Sequence, residues 1–61
     1  MSHLSREKLD LLNRAKKVRG QLESVERALN EDMRCVEILQ RLAAARGAIN
    51  SQMFELMEDH I

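Results

Sequence analysis

Hydrophobic side chains recur at alternating steps of four and three residues in each half of this sequence. Such spacing places them along one stripe of an α-helix, and it is typical of helices that pack lengthwise against other helices. The spacing therefore predicts an all-α chain. The first series is Leu11, Ala15, Val18, Leu22, Val25 and Leu29, and the second, which also includes two polar residues, is Cys35, Leu39, Leu42, Arg46, Ile49, Met53, Leu56 and His60.

A short polar break at residues 30–32, Asn-Glu-Asp, separates the two series. We predict a first helix over about 5–29, with Ser5 as its N-cap, and a second over about 33–61, with Asp32 as its N-cap. Because the break is short, the helices should fold back on each other as an antiparallel hairpin. Residues 1–61 are thus expected to form a single helical-hairpin domain.

The length of the chain indicates that the hairpin associates with a partner. A domain of 61 residues buries little apolar surface and usually needs a disulfide, a metal ion or a partner chain. The single cysteine cannot form an internal disulfide and suits a reducing cytoplasm. No apolar run is long enough to span a bilayer, and no signal-peptide core follows Met1. We therefore expect a cytoplasmic homo-oligomer without a membrane partner.

The second series predicts how two copies pair. If two copies of the second helix pack antiparallel about a two-fold axis between Gly47 and Ala48, the same patch is buried on both subunits. The small side chains beside the axis suit a close helix crossing. The pairing would give a dimeric four-helix bundle. The expected interface residues are Leu39, Leu42, Gly47, Ala48, Ile49, Met53 and Leu56.

The same pairing predicts a metal site between subunits. Cys35 and His60 lie within roughly 20° of one helix face but ~37 Å apart along the helix. One chain cannot join them, whereas an antiparallel second copy can. The hairpin also brings His3, and the amine of Ser2 if Met1 is removed, towards His60 of the same chain. Sulfur and imidazole ligands suit zinc, cobalt, nickel or copper ions. Alternatively, Cys35 is only a small buried hydrophobe.

Residues 14–19 contain four bases and no acid, namely Arg14, Lys16, Lys17 and Arg19. On a helical wheel, Arg14 and Lys17 share one flank of the apolar stripe, Arg19 lies on the other, and Lys16 points away. Such a ridge can follow a phosphate backbone, although four charges on a helix are commonly just a solvated face. No aromatic residues interleave, so the ridge is not expected to bind single strands by stacking on their bases.

Three segments carry a resemblance to a known family. NRAKKVRGQLESVERAL (13–29), CVEILQRLAAARGAIN (35–50) and MEDHI (57–61) resemble the CsoR/RcnR/FrmR family of metal- and formaldehyde-sensitive transcriptional repressors. The resemblance implies helical hairpins, without a helix-turn-helix, that form dimers and dimer-of-dimers tetramers. It also implies binding to double-stranded operator DNA, which an effector relieves. The family's third helix is absent from this sequence.

The resemblance also implies roles for individual residues. Cys35 matches the family's cysteine, His60 matches its second-helix histidine, and its DNA-binding bases match Arg14 and Lys17, with Lys16 and Arg19 beside them. The opening Met-Ser-His resembles the nickel/cobalt sensors, in which a histidine corresponding to His3 is a ligand.

Three functions follow as hypotheses, and none of them is enzymatic, because so small a chain has no room for a water-excluding pocket. The first is a repressor that releases its operator on binding a transition metal ion of the nickel/cobalt type. The second is a formaldehyde or electrophile sensor with Cys35 as nucleophile, although Ser2 stands where formaldehyde sensors carry proline. The third is a structural helical interaction module.

Overall fold

Two long helices account for almost the whole chain: α1 spans Ser2–Asn30 and α2 spans Cys35–His60. The structure is a computed structural model that describes the backbone of residues 2–60 and the side chains of residues 6–58. The helices run antiparallel as one hairpin about 47 Å long. The predicted all-α hairpin is confirmed. Neither helix has, within the described residues, the length and apolar character needed to cross a membrane.

Side-chain hydrogen bonds fix the register of the hairpin. Arg14 Nη1 donates to Ser51 Oγ over 3.1 Å. Nearer the turn, Arg41 Nη1 donates to the carbonyl oxygen and Oγ of Ser24 over 3.0 and 2.9 Å. Residue numbers thus rise along one helix as they fall along the other. The start of α1 and the end of α2 consequently lie at the same end of the hairpin, opposite the turn.

The core between the helices is thin. Among the described side chains, Val25, Ala28 and Ala45 are buried, and two of these three are alanines. Around them, half-buried residues recur at heptad spacing on each helix, and several of these are polar. So few buried methyl groups leave a single hairpin with little hydrophobic stabilisation. The half-buried residues are Glu7, Leu11, Arg14, Val18, Gln21 and Ser24 on α1, and Glu37, Ile38, Arg41, Ala48, Gln52 and Glu55 on α2.

The predicted seam of the first helix is only half right. Val18 and Val25 face α2 as expected, but Leu22 and Leu29 are exposed, with 47% and 57% of their surface open. Ala28 packs inward instead. The apolar stripe of α1 is wider than a single seam. Because the two helices approach closely, small residues and long polar residues occupy the positions that face α2. The larger leucines are left at the edge of the contact.

The turn corrects the predicted cap of the second helix. Asp32 has a φ of 53°, in the left-handed region, and its N–H donates to the carbonyl of Leu29 over 3.2 Å. The N–H of Met33 reaches the carbonyl of Ala28 over 3.0 Å, which completes a Schellman motif at the end of α1. Asp32 is therefore the left-handed residue of the motif that terminates α1 after Asn30, and it does not cap α2. The residue that precedes α2 is Arg34, whose carbonyl accepts the first helical hydrogen bonds.

Candidate functional site

One broad side of the hairpin carries large apolar side chains that no part of the described chain covers. They come from the edge of α1 and from the stripe of α2 that the sequence assigned to the dimer. Each has between 38% and 57% of its surface exposed, and a contiguous apolar patch of this kind is typical of an interaction surface. We call this surface the open face: Leu22, Leu29, Leu39, Leu42, Ile49, Met53 and Leu56.

The other predicted interface residues occupy different places. Gly47 is exposed, and a side chain there would meet no other atom within 4 Å. Ala48 is half-buried and turns towards α1 of its own chain, so it is not part of the open face. Arg46 is exposed beside Leu39 and Leu42, where these three residues help to line a depression of about 340 Å³.

Two of the predicted metal ligands, Cys35 and His60, are not brought together within one chain. Cys35 is a free, exposed cysteine at the first residue of α2, and it lies in the same helical row as the open face. His60 is the last residue of α2, so the two are ~37 Å apart along the helix axis. The side chains of Ser2, His3 and His60 lie outside the described residues. Among the side chains of 6–58, no three Cys, His, Asp or Glu groups cluster as a metal site.

The opposite side of the hairpin is polar and contains a groove of about 320 Å³ between the helices. Two of the predicted DNA-binding residues, Arg14 and Lys17, line it from α1. The α2 wall of the groove includes short side chains. The other lining residues are Gln21, Ala44, Ala48 and Ser51.

Arg14 is held against α2 by groups that the sequence patterns did not reveal. Its Nε lies 2.6 Å from Glu55 Oε2, and its Nη1 donates to Ser51 over 3.1 Å. Nearby, Gln52 Nε2 donates to the carbonyl of Leu11 over 3.2 Å. These partners could have been found from the antiparallel register of the two helices. That register places residue 14 opposite residue 51 and about one turn from residue 55.

The remaining basic residues do not line the groove. Lys16 and Arg19 are both exposed. At 100° per residue, Arg19 lies towards the open-face side of α1 and Lys16 points away from α2. Within the groove, the buried Oε1 of Gln21 has no hydrogen-bond partner in the described part of the chain. The structure thus brings Arg14 and Lys17 together on one surface and separates them from Lys16 and Arg19.

Comparisons with known proteins identify relatives of this chain. The model of the metal-sensitive transcriptional repressor family matches residues 7–61. A transcriptional repressor RcnR homolog of Escherichia coli O139:H28 is 41% identical over 61 residues, which are the whole chain and 68% of that protein. An uncharacterised protein in the bioA 5′ region of Serratia marcescens is 43% identical over 61 residues, the whole chain and 67% of that protein.

A solved structure shows the same helical arrangement. A variant of the formaldehyde-responsive regulator FrmR from Salmonella enterica serovar Typhimurium superposes with a TM-score of 0.87 at 45% identity. The alignment covers 90% of this chain and 62% of that one. The chain thus spans about two thirds of the length of the relatives it matches. The family match over 55 of the 61 residues, together with these identities, shows that the chain belongs to the metal-sensitive transcriptional repressor family, a family of regulators and not of enzymes.

Proposed function

We propose that this chain is a DNA-binding repressor that releases its operator when a transition metal ion of the nickel/cobalt type binds between two subunits. The observation that carries the proposal is the open face. It continues the helical row of Cys35, and none of the side chains of residues 6–58 covers it. A second copy is the occupant that would bury this apolar row on both subunits at once. In this account the protein acts in the cytoplasm, as a dimer or as a tetramer of two dimers.

The metal site in this proposal needs both subunits. Antiparallel pairing of two α2 helices sets Cys35 of one chain opposite His60 of the other, with His3 and the Ser2 amine as further candidate ligands. The donor set fits a borderline metal ion, since one sulfur and nitrogen ligands suit nickel, cobalt, zinc or copper. The exposure of Cys35 leaves its sulfur free to take such a role. When bound, the metal ion would cross-link the two chains at each end of the four-helix bundle.

The DNA surface in this proposal is the side of the hairpin opposite the open face. Dimerisation through the open face leaves the groove with Arg14 and Lys17 accessible, whereas Arg19 lies near the interface and Lys16 at the outer edge of α1. Contacts from such a surface would go to phosphates and would read the shape of the duplex more than its base edges.

A cobalt titration tests the proposed site. Reduced protein is titrated with Co(II) while the sulfur-to-metal charge-transfer absorption is followed, with Cys35→Ser as the matched control. We expect a band that saturates near one metal ion per chain and that is missing in the control. Equal spectra for the two proteins would contradict a cysteine-ligated site. Sedimentation of the same samples reports whether saturation coincides with a dimer or a larger assembly.

Formaldehyde sensing is a second candidate, favoured by the structural match to a formaldehyde-responsive regulator. The sulfur of Cys35 would add to the carbonyl carbon, and attack by a nearby amine would expel water to leave a methylene bridge. Peptide mass analysis after treatment should then show a gain of one carbon atom that links Cys35 to an amine. Unmodified Cys35 at doses that release DNA would exclude this chemistry.

A further inference from the structure

The ion pair between Arg14 and Glu55 joins a proposed DNA-contacting residue to an acid on the neighbouring helix. We propose that Glu55 competes with DNA phosphates for Arg14 and so sets the affinity of the basic groove for DNA. The inference rests on the proposed DNA-binding function, because it assigns the regulation of that same surface.

Glu55 already engages one of the N–H donors of the Arg14 guanidinium. Its Oε2 lies 2.6 Å from Arg14 Nε, and the Nη1 of the same side chain donates to Ser51. A carboxylate at that distance is a charge-assisted partner of the kind that a phosphate oxygen would also be. A phosphate that enters the groove therefore has to displace Glu55 or to share Arg14 with it.

The Arg14–Glu55 ion pair is weak enough for a DNA phosphate to displace Glu55 from Arg14. The two side chains are 41% and 33% exposed, so solvent screens their attraction, and pairs of this kind are weak in water. DNA can therefore break the pair, at a cost of up to about fivefold in affinity for each Arg14 engaged. In a deeply buried ion pair, by contrast, Arg14 would be inaccessible to DNA.

Other contacts keep the hairpin together when the charge of Glu55 is removed. Gln52 bonds to the backbone of Leu11, and Arg41 bonds to Ser24 nearer the turn. An amide oxygen at position 55 can still accept a hydrogen bond from Arg14. Glu55→Gln is therefore expected to remove the competing charge while the fold and the position of Arg14 persist.

The groove also explains why the charge matters there. Lys17 lines the groove beside Arg14, whereas Glu55 is not a lining residue and acts there only as the ion-pair partner of Arg14; a phosphate bound to Arg14 would thus have one further cation and one acid beside it. Removal of the acid leaves two uncompensated cations facing the backbone. Because such contacts act through released counterions, the change should appear in the salt dependence of binding as well as in affinity.

The test measures fluorescence anisotropy of a fluorescein-labelled, mixed-sequence DNA duplex at a series of salt concentrations between ~50 and ~200 mM. Four proteins are compared: wild type, Glu55→Gln, Arg14→Ala, and the double variant. The matched control is Glu31→Gln, which removes the same charge from an exposed position at the turn end of the hairpin. Circular dichroism confirms that each variant is helical.

We expect Glu55→Gln to bind up to about fivefold more tightly per chain engaged, with a salt slope steeper by about one for each Arg14 released. The gain should exceed that of Glu31→Gln and should disappear in the Arg14→Ala background. A gain equal to that of the control, or one that persists without Arg14, would overturn the competition. If Arg14→Ala binds as wild type does, the proposed DNA surface fails instead, whatever Glu55 does.

Discussion

Shortening Leu42 on the open face should weaken dimerisation by a calculable amount. Leu42 keeps 42% of its surface exposed in the isolated hairpin. Complete burial makes a leucine-to-alanine change cost about 3 kcal/mol, so the part that only a partner can bury corresponds to about 1 kcal/mol per chain. Because the two-fold axis places Leu42 of both subunits in the interface, the free-energy loss occurs twice in each dimer. Leu42→Ala is thus expected to cost about 2 kcal/mol per dimer, or about 30-fold in the dissociation constant.

Sedimentation equilibrium over a range of protein concentrations measures this change. The matched control is Leu9→Ala, because Leu9 is even more exposed, at 61%, but lies half a helical turn away from the row that faces α2. The control should dimerise as the wild type does. If Leu42→Ala leaves the dissociation constant unchanged, or if Leu9→Ala weakens it equally, the open face is not the dimer interface.

Three further predictions concern the groove, the core and the turn. Lys17→Ala should weaken duplex binding and lower the salt slope by about one, whereas Lys16→Ala should have a smaller effect; anisotropy titrations compare them. Ala45→Leu should destabilise the hairpin by about 1–3 kcal/mol in thermal unfolding, because Ala45 is only 2% exposed and leaves no space for a larger side chain. Asp32→Gly should stabilise it by about 1 kcal/mol in the same assay, since glycine adopts the left-handed conformation without steric cost; a loss of stability would refute that view of the turn.

The helices and their antiparallel packing could be predicted from the sequence because both signals are local. Heptad spacing marked each helix, and the short polar break required the chain to fold back. The inner face of α1 was harder to predict. Periodicity gives a stripe, but it does not say which edge of the stripe meets α2. The choice depended on how closely the helices approach, which favoured Ala28 over Leu29 and Gln21 over Leu22.

The candidate sites, too, could be predicted from the sequence only in part. The basic residues could be found by charge alone, yet the partners of Arg14 depend on the register between helices and so escaped detection. Asp32 looked like a helix cap by residue type, whereas its backbone angle made it the end of the preceding helix. The proposed Cys35–His60 site remains a prediction, because the two residues lie at opposite ends of α2 and only a second chain could bring them together.

Refolding a mixture of two defective subunits shows whether the proposed metal site is shared between two chains. Cys35→Ser and His60→Ala proteins are unfolded, combined in equal amounts, refolded and titrated with Co(II), beside each variant alone. If the site joins two chains, half of the dimers contain both subunits and each of these holds one intact site. The charge-transfer band should then return to about a quarter of its wild-type amplitude. A mixture that gives only the average of the two separate variants would contradict a site shared between subunits.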